Sequence, residues 1–128
     1  MEQKQKELIR LALQAREQAY APYSAFRVGA ALEATDGRIF TGCNVENRSY
    51  SATICAERAA LVKAVSEGAQ TFRRIAIVGG KGEITDYCVP CAVCLQAFSE
   101  FYAENFQFLL AKTENDYIMK SWNELLPI

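Results

Sequence analysis

The sequence predicts an α/β fold: a mixed sheet of about five strands with helices on both of its faces. Three observations lead there. Apolar residues near the N-terminus recur at helical spacing. Four short apolar runs, at 26–34, 38–43, 73–79 and 106–112, have strand length and are bounded by turn or polar segments. The two kinds of segment alternate in the order α-β-β-α-β-α-β-α, which suits a sheet sandwiched between helices.

The elements follow in order. Residues 3 to about 20 read as an amphipathic helix, with Leu8, Ile9, Leu11, Ala12, Ala15 and Ala19 on one side. Pro22 disfavours helix in the residue before it, so Ala21-Pro22-Tyr23-Ser24 ends that helix. Asp36-Gly37 is a hairpin signal joining strands 26–34 and 38–43. A polar loop from Asn44 to about Ile54 precedes a helix from Cys55 to about Glu67, with Ala59, Ala60, Leu61, Ala64 and Val65 expected on its buried side, which stops at Gly68. Strand 73–79 leads into a loop marked by Gly79, Gly80 and Gly82. The spacing of these glycines is not that of a phosphate loop. Pro90 opens a helix running from about Cys91 to Ala103, and strand 106–112 follows. Segment 115–120 offers a short fifth strand, and Ser121–Glu124 is a capping box opening a last helix. No repeat or linker interrupts the 128 residues, so a single domain over 1–128 is expected.

Composition narrows the function. With 14 basic and 15 acidic residues the formal charge is -1, which argues against a nucleic-acid binder. No run approaches the roughly 18 apolar residues of a membrane span. No apolar signal segment follows the polar start, and the expected location is the cytoplasm. Five cysteines, an odd number, argue against a disulfide framework and for metal binding or catalysis. Histidine is absent, so any chemistry rests on thiolates, carboxylates and backbone groups.

Two segments carry that chemistry: Cys55-Ala56-Glu57-Arg58 and Pro90-Cys91-Ala92-Val93-Cys94. Each falls at a predicted helix start, where the positive end of the helix dipole favours the thiolate that zinc requires. Cys91 and Cys94 are one turn apart and share a helix side, and Cys55 comes from a neighbouring helix. Three protein ligands leave a fourth tetrahedral corner for water, the pattern of a catalytic rather than a structural zinc. Glu57, two residues from a ligand, is placed to move protons between that water and a substrate. A three-Cys zinc, a nearby non-ligating Glu and a Pro-Cys-x-x-Cys partner segment are the signature of the zinc deaminases. A zinc ion with three thiolates is formally -1, and Arg58, three residues after Cys55, is expected to donate to the sulfurs and offset that charge.

Rival readings exist. Cys88, Cys91 and Cys94 have part of the spacing of an iron–sulfur run, but a fourth cysteine is missing at Phe98. A redox Cys-x-x-Cys leaves Cys55, Glu57 and Arg58 unexplained. A structural zinc would recruit Cys43 or Cys88, which read rather as buried small hydrophobes. A module that binds nucleosides without turning them over, and a deaminase of RNA or DNA bases, are the other function classes.

With these residues in view, the chain resembles the small, homotetrameric three-cysteine cytidine deaminases. The likeness includes Ala21-Pro22-Tyr23-Ser24, Phe26 to Leu32, Thr41 to Asn47, Cys55 to Arg58, Lys63 to Gly68, Pro90-Cys91-x-x-Cys94 and Glu124-Leu125-Leu126-Pro127. The resemblance implies a three-layer α/β/α fold, a Zn2+ cofactor and a homotetramer with active sites at subunit contacts. It also implies that Asn44 and Glu46 bind ribose hydroxyls, that Phe26 lines the nucleoside pocket, and that the backbone amides beside Ala56 and Cys91 help to orient the base. The implied reaction is hydrolysis of cytidine or deoxycytidine: hydroxide adds to C4, Glu57 protonates N3 and then the leaving amine, and ammonia departs.

Three features differ from the family's usual Pro-Cys-Gly-x-Cys-Arg-Gln and its Phe-bearing C-terminal tail. Ala92 and Leu95 replace the Gly and the Arg, Gln96 is kept, and this sequence ends at Ile128. Losing the Arg leaves Arg58 more of the burden. These departures point to an alternative, a modified or bulkier cytosine nucleoside as substrate, or a nucleoside-binding module of low activity.

Overall fold

The structure, a computed structural model, describes residues 2–125. Helix α1 (Glu2–Arg16) is followed by strands β1 (Arg27–Ala34) and β2 (Ile39–Cys43), helix α2 (Ala56–Ser66) and strand β3 (Phe72–Gly80). Helix α3 (Ala92–Ser99), strands β4 (Gln107–Thr113) and β5 (Asp116–Lys120) and helix α4 (Trp122–Leu125) complete the order. The five strands form one sheet in the order β2-β1-β3-β4-β5. β3 and β4 pair in parallel and every other neighbour is antiparallel, so the sheet is mixed.

Alternation along the strands gives the sheet two apolar faces, each of which must be covered. On one face Ala31, Ala76, Val78, Leu109 and Ala111 meet Leu8, Ile9 and Ala12 of α1. On the other, Ala30, Leu32, Ile75, Ile77 and Phe108 pack with α2 residues Ala60, Leu61 and Ala64 and with Leu95 and Phe98 of α3. Trp122 of α4 joins this second core, edge-on to Phe108. The expected helix–sheet–helix layering is present, and the segment at 115–120 does supply the fifth strand. No described helix is long and apolar enough to cross a membrane.

Several boundaries differ from expectation. α1 stops at Arg16 rather than near residue 20, because residues 17–19 tighten into i to i−3 bonds. Tyr20 then pairs with the loop after β2, taking a hydrogen bond from Glu46 N and giving one to Asn44 O. α3 ends at Ser99 rather than Ala103 for the same reason: Phe101 and Tyr102 donate to carbonyls three residues back. The capping box is half formed, with Glu124 Oε1 accepting from Ser121 N at 2.9 Å. Leu126, Pro127 and Ile128, which include the end of the family-like C-terminal segment, lie outside the described residues.

The two antiparallel partners of β1 and the parallel β3–β4 pair bring the starts of α2 and α3 together at one end of the sheet. That juxtaposition makes the site.

Candidate active site

Cys55 and Cys91 are the N-cap residues of α2 and α3, each in extended backbone, so the helices proper begin one residue later than the cysteines. Neither cap is made by a side-chain oxygen, which leaves the first-turn N–H groups free to face an anion or ligand. Cys94, one turn into α3, is fully buried. Sγ of Cys91 lies 3.8 Å from that of Cys55 and 3.5 Å from that of Cys94. Among the described residues these three form the one cluster of potential metal ligands, with all sulfurs within 4.8 Å of one another. A tetrahedral ion with Zn–S bonds of about 2.3 Å places its sulfurs about 3.8 Å apart, so the trio has the spacing of a zinc cradle. Cys43 and Cys88 stand outside it, each half-buried. The donor set is three thiols, not four.

The electrostatics suit that use. The Cys55 thiol is held down at about 5, first by its hydrogen bond with Cys94 and then by Arg58 and Cys91. Cys94 is pushed upward by the same hydrogen bond and by burial: in the metal-free trio one sulfur takes the charge and its neighbour keeps the proton. Arg58 Nη2 lies 3.6 Å from Cys55 Sγ and donates to Thr53 O at 3.2 Å. Leu95, where the family-like pattern has an arginine, is buried in the apolar core and brings no charge.

Glu57 is 5% exposed, beside the trio. Desolvation, assisted by the Cys55 charge, pushes its carboxyl up to about 7, while its own backbone N–H and Arg58 act the other way. A carboxyl so placed exchanges a proton near neutrality, the range useful to an acid–base group.

These groups sit at the base of a cavity of about 350 Å3. Its lining includes Phe26, Asn44, Glu46, Cys55, Ala56 and Glu57, so all the site residues read from the sequence border it or touch it except Cys94 and Arg58, which lie behind. Asn44 is a brace between strands: Oδ1 accepts from Val28 N at 2.9 Å and Nδ2 donates to Phe26 O at 2.8 Å. One of its two amide hydrogens remains for a ligand. Glu46 Oε1 accepts from the backbone N–H groups of Tyr23 and Ser24 at 3.0 and 3.2 Å, and its Oε2 accepts from the Ser24 hydroxyl. Oε1 is thereby saturated, and Oε2 keeps one lone pair for a ligand.

The sequence reading missed part of the lining: Ser24, Tyr50, Thr53, Cys88 and Val89 also border the cavity. Tyr23 and Ser24 were legible as a helix stop and as part of a family-like segment, with no role in the site assigned to them. Ala25, next to them, has φ of 63°, a left-handed conformation that costs a non-glycine residue on the order of 1 kcal/mol. The turn is held by Ala25 N donating to Ala21 O at 3.0 Å and by the Glu46 bonds. It delivers Phe26 to the cavity mouth, and no residue type at position 25 announces it. A larger cleft of about 990 Å3 lies at the opposite end of the sheet, at the start of β3, and contains none of the thiols.

Three clustered thiols and a buried carboxyl at the mouth of an α/β/α sandwich define a metal-dependent hydrolase site. Comparison with known proteins gives the family. A family model described as "Cytidine and deoxycytidylate deaminase zinc-binding region" matches residues 2–110. A protein of Sporosarcina psychrophila named cytidine deaminase is 45% identical over 94% of this chain and 86% of its own length. One from Halalkalibacterium halodurans is 43% identical over 94% and 89%. The crystal structure of cytidine deaminase from Burkholderia pseudomallei superposes with a TM-score of 0.85 at 44% identity, covering 94% of each chain. The chain belongs to the cytidine deaminase family, whose chemistry is zinc-dependent and hydrolytic.

Proposed function

We propose that this chain hydrolyses the exocyclic C4–N bond of free cytidine and deoxycytidine, releasing ammonia and leaving uridine or deoxyuridine. The observation that carries this reading is the placement of a buried Glu57 carboxyl beside three sulfurs at zinc spacing, inside a cavity of nucleoside size.

In this reading Cys55, Cys91 and Cys94 hold Zn2+, which when bound makes a water acidic enough to lose a proton near neutral pH. Glu57 takes that proton and delivers it to N3 as oxygen adds to C4. It then takes the proton of the new C4 hydroxyl and gives it to the amine, so that the C4–N bond breaks, ammonia leaves and C4 becomes a carbonyl. Arg58 lowers the charge on the Cys55 sulfur. The Ala56 N–H, free at the first turn of α2, donates to the base. Phe26 packs on the nucleoside, while the spare Asn44 N–H and the Glu46 carboxylate take the ribose hydroxyls. Both are pre-set by the bonds that fix them to Phe26, Val28, Tyr23 and Ser24.

The proposal extends to context. The whole chain, 1–128, acts as one domain, as a homotetramer, in the cytoplasm, in pyrimidine salvage. Large exposed apolar side chains that line the cavity, Tyr50 at 89%, Val89 at 57% and Phe26 at 37%, support burial of this rim by other subunits. Free thiols at all five cysteines suit a reducing compartment.

The test is ammonia release from cytidine, deoxycytidine and a short single-stranded oligonucleotide by zinc-loaded protein and its Glu57→Gln variant. Turnover of the two nucleosides, lost by at least about 100-fold in the variant with zinc retained, is expected. Nucleoside binding without ammonia, or release from the oligonucleotide alone, refutes the reading.

A further inference from the structure

The nucleoside cavity has a thin wall with space behind it. Phe26 and Cys88 line both that cavity and a second recess of about 490 Å3, whose other side is formed by residues that include Gly80, Lys81, Thr85 and Tyr87. The wall rests on Gly79, near the end of β3. A side chain there would bring its Cβ to 3.0 Å from Cys88 Sγ, 3.0 Å from Phe26 Cε2 and 3.1 Å from Val28 Cγ2. All three are shorter than the 3.4–4 Å of ordinary van der Waals contact, so each neighbour would have to give by a few tenths of an ångström. The ring and the thiol therefore seat against bare backbone, and Cys88 places one heavy atom beyond Cβ between the two spaces.

The chemistry of cytosine says which part of the substrate faces this wall. The ring has a polar edge, N3 and O2, and an apolar edge, C5 and C6. The groups able to exchange hydrogen bonds with the polar edge, Glu57 and the Ala56 N–H, sit at the start of α2. The Phe26 ring, the Cys88 thiol and the Val89 side chain offer the apolar edge hydrocarbon and sulfur.

Resting on the deaminase reading above, we propose that Gly79 and Cys88 are specificity-determining residues. They set the room at C5, so this chain accepts cytosine nucleosides carrying a small apolar substituent there. The substituent turns the Cys88 thiol toward the second recess, and Gly79 leaves the wall free to yield.

The experiment compares kcat/KM for cytidine and 5-methylcytidine in zinc-loaded wild type, Gly79→Ala, Cys88→Val and the double variant Gly79→Ala/Cys88→Ala. Wild type is expected to turn over both nucleosides within about tenfold, since one methyl in an apolar pocket is worth about 10-fold or more when the pocket has no room for it. Gly79→Ala and Cys88→Val, which crowd the wall from its two sides, lower the 5-methylcytidine to cytidine ratio by about tenfold. The double variant raises it again, because removing Sγ clears one of the three atoms the new Cβ would strike and opens the wall on the Cys88 side. Cys88→Val still decides the matter should Gly79→Ala fail to fold. The proposal is overturned if wild type rejects 5-methylcytidine by more than about 100-fold, or if the folded variants lose both substrates in equal proportion. Absence of cytidine turnover in the zinc-loaded wild type instead refutes the underlying deaminase reading.

Discussion

Gly42 is where the fold touches the chemistry. It lies in β2, paired with Ala30, directly beneath the start of α2. A Cβ at this position would meet Ala56 O and Ala60 N, both at 2.6 Å, and Ala59 Cβ at 3.0 Å. Two of these are backbone atoms of the helix, so no side-chain rotation relieves the contact. Reaching an ordinary separation of 3.4 Å requires strand and helix to part by about 0.8 Å. Ala56 lies between Cys55 and Glu57, so the retreat carries both with it. Zinc–ligand distances tolerate about 0.2 Å, and misplacement of a reacting group by about 1 Å costs about 100-fold in rate. We therefore expect Gly42→Ala to lower kcat by 10- to 100-fold and to weaken zinc binding. Overpacking should also remove about 1–3 kcal/mol of stability, seen as a fall in Tm of roughly 3–15 °C. The comparison is Gly37→Ala in the β1–β2 turn: its φ of 96° makes alanine strained there, but nothing lies within 4 Å of the new Cβ. That variant should lose stability and keep kcat and zinc affinity. Steady-state kinetics on cytidine, zinc competition with a chelating dye and thermal melts of the two proteins decide the issue. If Gly42→Ala melts lower yet keeps wild-type kcat and zinc affinity, the idea that backbone contact at this glycine sets the site is wrong.

Further expectations concern charge. Arg58→Gln should weaken zinc binding about 10- to 100-fold, measured by competition with a chelator; unchanged affinity and rate would remove Arg58 from the metal's surroundings. In zinc-stripped protein the Cys55 thiol, at about 5, is already the thiolate throughout pH 6–8, whereas Cys88, pushed up to about 12 mainly by burial, keeps its proton. Alkylation by iodoacetamide followed by peptide mapping should thus mark Cys55 early, at a rate nearly flat over that range, and Cys88 last; the reverse order would contradict the assignment. On the α1 face, Glu33 and Arg74 form a cross-strand ion pair at 3.5 Å with side chains only 4% and 9% exposed, and Glu33 Oε1 and Arg74 Nε and Nη1 lack hydrogen-bond partners. Arg74→Met alone should cost about 3–5 kcal/mol by stranding a buried carboxylate, while Glu33→Leu/Arg74→Met together should be neutral or stabilising; denaturant unfolding of the three proteins reads this directly.

Local order in the sequence carried the element types and the reactive residues. Strand and helix periods mark the two sheet faces, and cysteines at two helix starts identify the ligand candidates, because those signals depend only on neighbours along the chain. The ends of α1 and α3 were not legible, since they are decided by where the chain must turn: Tyr20 leaves the helix to pair with Val45, far away in sequence. Nor was the left-handed Ala25 legible, because the Glu46 carboxylate holds its turn from across the loop. The sequence alone determined that this is an α/β chain with three zinc-ready thiols, a carboxylate two residues from one of them, and the motifs of a deaminase. Only the tertiary structure decided that Cys55 comes within 3.8 Å of Cys91, that Glu57 is buried beside them, and that Gly42 and Gly79 let a helix and a pocket wall approach bare backbone. The physical reason is that distance, desolvation and close packing arise between segments remote in sequence, and no periodicity along the chain encodes them.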